Sequence, residues 1–177
     1  MGFPSFSAGD VLAATDMNAV GLWLVKTQTI GAAVTEVEVT SAFSSTYDNY
    51  RIIVSGGTGS TAIFVRFQLG SASVNGYYTA YSGVTYSTGA ASTSADNNAA
   101  NFSAVGIATS TSINLNVDVI NPNLTEHTYI SGFHADATVG RQLSGFYNAT
   151  TAFTSFKLIC STGNLTGGTI RVYGYRN

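Results

Sequence analysis

The chain predicts an all-β protein: an antiparallel two-sheet β-sandwich behind a short, partly helical N-terminal arm. Three observations carry this prediction. From about residue 27 onward apolar residues recur at every second position, the period of a half-buried strand. Clusters rich in Gly, Ser, Thr and Asn bound these runs, as at Ser55-Gly56-Gly57-Thr58-Gly59-Ser60 and Asn121-Pro122-Asn123. No stretch of helical period lies between them, so parallel pairing through crossover helices is excluded.

The strands can be taken in order. Val37 and Val39 alternate with Glu36 and Glu38, and Tyr50, Ile52 and Val54 alternate with Arg51 and Ile53. Ile63, Val65, Phe67 and Leu69 follow, and the cleanest alternation sets Ile113, Leu115, Val117 and Val119 against Asn114, Asn116 and Asp118. Later runs cover 129–135, 141–147, 156–160 and 169–175. Eight to ten short strands of this kind fit jelly-roll connections best, with an immunoglobulin-like sandwich as the alternative. Residues 87–101 carry neither period and are expected to form a long connecting loop. The glycines at 56–59 and 167–168 are expected in hairpin turns, because they match no phosphate-binding pattern.

The first residues differ from the rest. Thr15 can cap a helix, Asp16 suits its first turn, and Met17, Val20 and Leu24 then fall on one face. Gly21 weakens that helix, and so short a stripe is not stable alone. The chain is therefore divided into an anchoring arm, residues 1–28, and a sandwich, residues 29–177. The arm's apolar side chains (Val11, Leu12, Met17, Val20, Trp23 and Leu24) are expected to pack on the sandwich or on a partner subunit.

Composition limits function. Of 177 residues only 9% are charged and the formal net charge is −2, whereas Ser plus Thr number 43. Seven Lys plus Arg, without a run, exclude a strongly basic nucleic-acid binder. The longest apolar run, Ala19 to Val25, is too short to span a bilayer, so no membrane partner is expected. The single cysteine, Cys160, sits in an alternating strand and reads as a small core residue.

Catalytic constellations are lacking. His127 and His134 are the only histidines, with Glu126 beside one and Asp136 two residues beyond the other. A metal site needs three or four converging ligands, and no Gly-x-Ser-x-Gly elbow is present. The chain is therefore expected to be no enzyme and to carry no catalytic residue, metal or other cofactor. Tyr77, Tyr78, Tyr81 and Tyr86 form the densest aromatic cluster. They can pack in the core, meet a neighbouring subunit, or stack on a glycan.

The segment Phe6-Ser7-Ala8-Gly9-Asp10-Val11-Leu12-Ala13-Ala14-Thr15-Asp16-Met17-Asn18 resembles an N-terminal motif of many tailed-bacteriophage tail-fibre and virion proteins. Thr46-Tyr47-Asp48-Asn49-Tyr50-Arg51-Ile52 resembles the start of a central strand in phage surface sandwiches. The ending, Phe156 to Ile159 and Gly168 to Gly174, resembles the closing strand pair of the same group. The resemblance implies a homotrimeric jelly-roll protein on the virion surface, a capsid decoration or cement protein anchored through its arm. Its partners would be the major capsid protein or tail proteins. The alternative is a tail or fibre component that binds host-surface glycan.

Overall fold

A computed structural model describes residues 21–71 and 73–175, together with Gly9. Among them the chain is all-β, with fourteen strands and no helix. In chain order these are β1 Leu22–Thr29, β2 Glu36–Val39, β3 Asn49–Ser55, β4 Thr58–Gly59, β5 Ile63–Leu69, β6 Tyr77–Thr85 and β7 Ala91–Ala99. They continue as β8 Phe102–Ala108, β9 Ile113–Ile120, β10 Thr128–Ala135, β11 Val139–Tyr147, β12 Phe156–Cys160, β13 Leu165–Thr166 and β14 Thr169–Tyr175.

Pairing is antiparallel throughout, and β9 is where it forks. Along one edge β9 pairs with β3, whereas its other edge is shared. Ile113 to Leu115 pair with β8, and Asn116 to Ile120 pair with β10. Two sheets diverge from this point. One runs β1-β14-β3-β9, the other β2-β12-β5-β8. With eight strands in these two orders the sandwich is a jelly roll, as the sequence predicts.

Four further strands come from two insertions. The β6–β7 hairpin is inserted between β5 and β8, and the β10–β11 hairpin between β9 and β12. Although separate in sequence, they meet edge to edge through the β11–β6 pair. Together they lengthen the β9 sheet by β10-β11-β6-β7. We call this four-stranded part the extension.

The alternating residues supply the core as expected. Tyr50, Ile52, Val65, Phe67, Val117, Val119, Phe156, Leu158, Ile170 and Val172 are all buried. A chain of ring contacts leads from Tyr50 through Phe43, Phe156, Phe67, Phe102 and Tyr77 to Tyr147, joining the jelly-roll core to the extension. Buried tyrosine hydroxyls still need partners. The Tyr50 hydroxyl donates to the Ser44 carbonyl at 2.8 Å and accepts from the Ser44 N–H at 2.7 Å. The Tyr77 hydroxyl accepts the Leu69 N–H at 2.9 Å, and burial raises its pKa. Cys160 is a buried core residue, its thiol facing the Val34 carbonyl, and burial pushes its pKa up.

Three expectations need correction. Trp23 and Leu24 lie on strand β1, paired with β14, and not on a helix. Among the described residues the sheet therefore begins at Leu22, seven residues before the expected start of the sandwich at residue 29. Val11, Leu12, Met17 and Val20 lie outside the described residues. Second, the expected loop at 87–101 contains strand β7. Its side chains are small and almost all exposed, so no apolar alternation marks it, and the backbone ladder to β6 holds it. Third, the paired glycines are not hairpin turns. Thr58 pairs with Thr166 and Ser55 with Thr169, so Gly56-Gly57 and Gly167-Gly168 interrupt one two-stranded ladder. All four have positive φ, and the ladder bends there.

Candidate binding face

The outer face of the long sheet is the candidate site. Strand register places Leu22 and Leu24 of β1 and Ile120 of β9 on it. It also places Tyr129 and Phe133 of β10, Phe146 of β11, and Tyr78 and Val84 of β6 there. Tyr86 joins them, since a Cβ on outward-facing Gly140 would meet its hydroxyl at 2.9 Å. Among the described residues every exposed large hydrophobic side chain except Val74 lies on this face. Isolated exposed apolar groups are ordinary, but such a concentration marks a contact surface.

The two halves of the face differ in chemistry. On the jelly-roll half Arg51 of β3 grips Asp118 of β9 with two hydrogen bonds of 2.8 and 2.7 Å. Tyr175 of β14 donates to the same carboxylate at 2.5 Å, and the Arg51 guanidinium lies 5.7 Å from the Tyr175 ring centre. Burial alone would raise the Asp118 pKa, but the Arg51 and Tyr175 hydrogen bonds outweigh it and hold it below the usual range. The Tyr175 phenol is pushed up to about 12, by burial and by that carboxylate. Arg171 is turned to the Ser55 hydroxyl at 2.5 Å.

The extension half is an uncharged trough. Successive rows across β6, β11 and β10 read Tyr78, Phe146, Tyr129, then Ala80, Ser144, Ser131, then Ser82, Gln142, Phe133. Tyr78 and Phe146 stack with ring centres 4.8 Å apart and planes 9° apart. Tyr129 lies 6.4 Å beyond Phe146 with its plane tilted by 35°, so the three rings form a packed aromatic cluster across three strands. The floor is small and hydroxylated, and β7 adds Thr93 and Ala95 to it. At the other end stand Phe133, 62% exposed, and Tyr86, 60% exposed. Three adjoining depressions of about 670, 640 and 430 Å3 follow this trough.

Asp96 and Arg141 are turned away from the trough. The charges that adjoin it beside Ser131, Asp118 and then Arg51, are paired with each other. Asp96 accepts the Ser103 hydroxyl, and Arg141 lies over the Phe64 ring on the opposite side of the sheet. That inner side also holds His134, 1% exposed and 6.3 Å from Phe64, with neither ring nitrogen hydrogen-bonded. Burial, then Arg141, pull its pKa down to about 4, with Asp136 opposing in part. Asp136 follows the strand and accepts from Thr138 and Val139. His127 faces the Tyr147 carbonyl through Nδ1. Among the described residues no three His, Cys, Asp or Glu side chains converge to hold a metal, and no helix is long and apolar enough to cross a membrane.

The four tyrosines singled out by sequence are divided by the strand alternation. Tyr78 and Tyr86 reach the outer face. Tyr77 is fully buried, and Tyr81 points inward, its ring centre 6.2 Å from that of Phe64. Neither can stack on a ligand at the trough. Sequence reasoning missed Tyr129, Phe133 and Phe146. Their strands are apolar in both phases, as in Tyr129-Ile130 and Phe146-Tyr147, so alternation could not say which phase faced out. No protein-family model, curated protein or solved structure matches this chain.

Proposed function

We propose that the chain is a structural protein of the bacteriophage virion surface, a trimeric decoration or cement subunit that binds the major capsid protein or tail proteins. It works by binding and has no catalytic turnover. The carrying observation is at β1. This edge strand opens the described jelly roll, with Leu22 41% and Leu24 56% exposed on the outer face. Gly21 and Leu22 thus enter the sandwich at its rim, beside an apolar strip that is open to a neighbour. The resemblance of Phe6 to Asn18 to virion proteins agrees with that use. Many copies on a shell make a modest contact per copy sufficient.

The test is a variant lacking residues 1–20, cut before Gly21 so that β1 stays whole. The proposal expects a folded sandwich that no longer sediments with phage particles, and full-length protein that sediments as a trimer. Full occupancy on particles without residues 1–20 would place the anchor elsewhere and overturn it.

A further inference from the structure

We infer that the trough of the extension is a binding site for a neutral oligosaccharide. This assigns the glycan alternative to specific residues, and it does not depend on how the chain is anchored to a particle. Four features of the trough point to this class of ligand.

The first is the pairing of ring platforms with a hydroxyl floor. A sugar ring presents C–H groups on its faces and hydroxyls around its edge. Flat aromatic rings suit the faces, and hydroxyl and amide side chains suit the edge. Exposed Tyr129 stands at one end beside the Tyr78–Phe146 stack, whose two rings are turned against each other. Exposed Phe133 and Tyr86 stand at the other, and Ser82, Ser131, Ser144, Thr93 and Gln142 form the floor. A protein-binding surface is ordinarily most apolar at its centre and polar at its rim. Here the order is inverted.

The second feature is charge. No charged side chain faces the trough on β6, β10 or β11, and Asp96 and Arg141 nearby are turned to other partners. A sulfated or uronate-containing chain would find no unpaired cation there, since Arg51, two strands beyond Ser131, is held by Asp118. The third is length. Tyr129 and Phe133 are four residues apart on one strand, about 13 Å at about 3.3 Å per residue. That is the span of a short oligosaccharide, longer than a single sugar. The fourth is origin. Two separate insertions converge to build this surface, while the jelly roll closes its own eight-strand order without them.

The full-length protein is tested on a printed array carrying cello-, malto- and chito-oligosaccharides beside uronate-containing chains, and the best-retained saccharide is then titrated calorimetrically. The expected result is saturable binding of a neutral saccharide. Tyr129→Ala and Phe133→Ala should each weaken it about tenfold, the loss of one good aromatic contact. Val74→Ser, exposed but off the face, should leave it unchanged. Both aromatic side chains are exposed, so the variants should keep the wild-type circular dichroism spectrum. Retention of no neutral saccharide, preference for uronate chains, or full binding by the Y129A/F133A double variant overturns the proposal. So does self-association that the same double variant abolishes, since a second copy would then cover the trough. Removing residues 1–20 should not alter saccharide binding, which separates this test from that of the anchor.

Discussion

The jelly roll and its extension bury apolar surface by the same alternation, yet they differ in how completely their polar groups are satisfied. In the jelly roll the buried Tyr50 hydroxyl has two partners, and the charges on the outer face are used on one another, Arg51 with Asp118 and Tyr175. In the extension His134, Thr128 and Arg141 keep buried polar atoms without hydrogen bonds. An unmet buried polar group costs about 1–3 kcal/mol. The closed eight-strand unit is thus built for stability, and the added strands carry an uncharged surface on a weaker underside. Trp23 Nε1 and Asn49 Oδ1 are the unpaired buried atoms outside the extension among the described residues.

The largest effect should come from the shared ring core. Phe156 is fully buried, stacking on Phe67 at 4.9 Å and reaching Phe43 at 5.6 Å. Phe156→Ala should cost about 3–5 kcal/mol and unfold both parts together in urea denaturation. A purely local loss in β12 would show that the two parts do not share one core.

Acid should separate the two parts. His134 has a folded pKa near 4 against an ordinary 6.5, so the unfolded chain binds the extra proton between those values. Its contribution is therefore complete above pH 6.5 and is lost as pH falls toward 4, on the order of 3 kcal/mol in total. The groups facing it are Phe64 of β5, Arg141 of β11 and Asp136 after β10. Asp118 in the jelly roll acts in the same direction but lower, its stabilisation being lost only as pH falls below its ordinary value of 3.8. Urea midpoints measured from pH 7 to 4 should fall steadily, and His134→Leu should flatten that slope. An unchanged slope in the variant would mean that His134 is not the group titrating.

A smaller effect is expected where the extension docks. A Cβ on Gly145 would meet the Phe102 ring at 3.0 Å and the Tyr78 carbonyl at 2.5 Å. Gly145→Ala should cost about 1–3 kcal/mol by forcing β11 away from β8. The smallest effect belongs to the half-exposed ion pair. Arg51→Ala should change stability by about 0–1 kcal/mol, and less at high salt.

Much of the fold was legible because one sheet face is buried, which forces the period of two on β3, β5, β9 and β14. The failures have local causes. At β1 the register shifts between Leu24 and Lys26, so the bulge breaks the alternation along the strand. Along β7 nothing apolar is buried, and composition alone cannot show a strand held by backbone pairing. The meeting of two hairpins about 60 residues apart, through the Leu143–Tyr81 register, has no trace in local pattern. That is why the sequence offered Tyr77 to Tyr86 as a group, while the trough takes Tyr78 and Tyr86 with Tyr129, Phe133 and Phe146.

Native-state hydrogen exchange, followed amide by amide at pH 7 and pH 5, tests the division into a stable jelly roll and a weaker extension most directly. Amides of β6, β10 and β11 should open at a lower free energy than those of β3, β5, β9 and β14, and the gap should widen at pH 5. One common opening free energy for all of these strands at both pH values would contradict it.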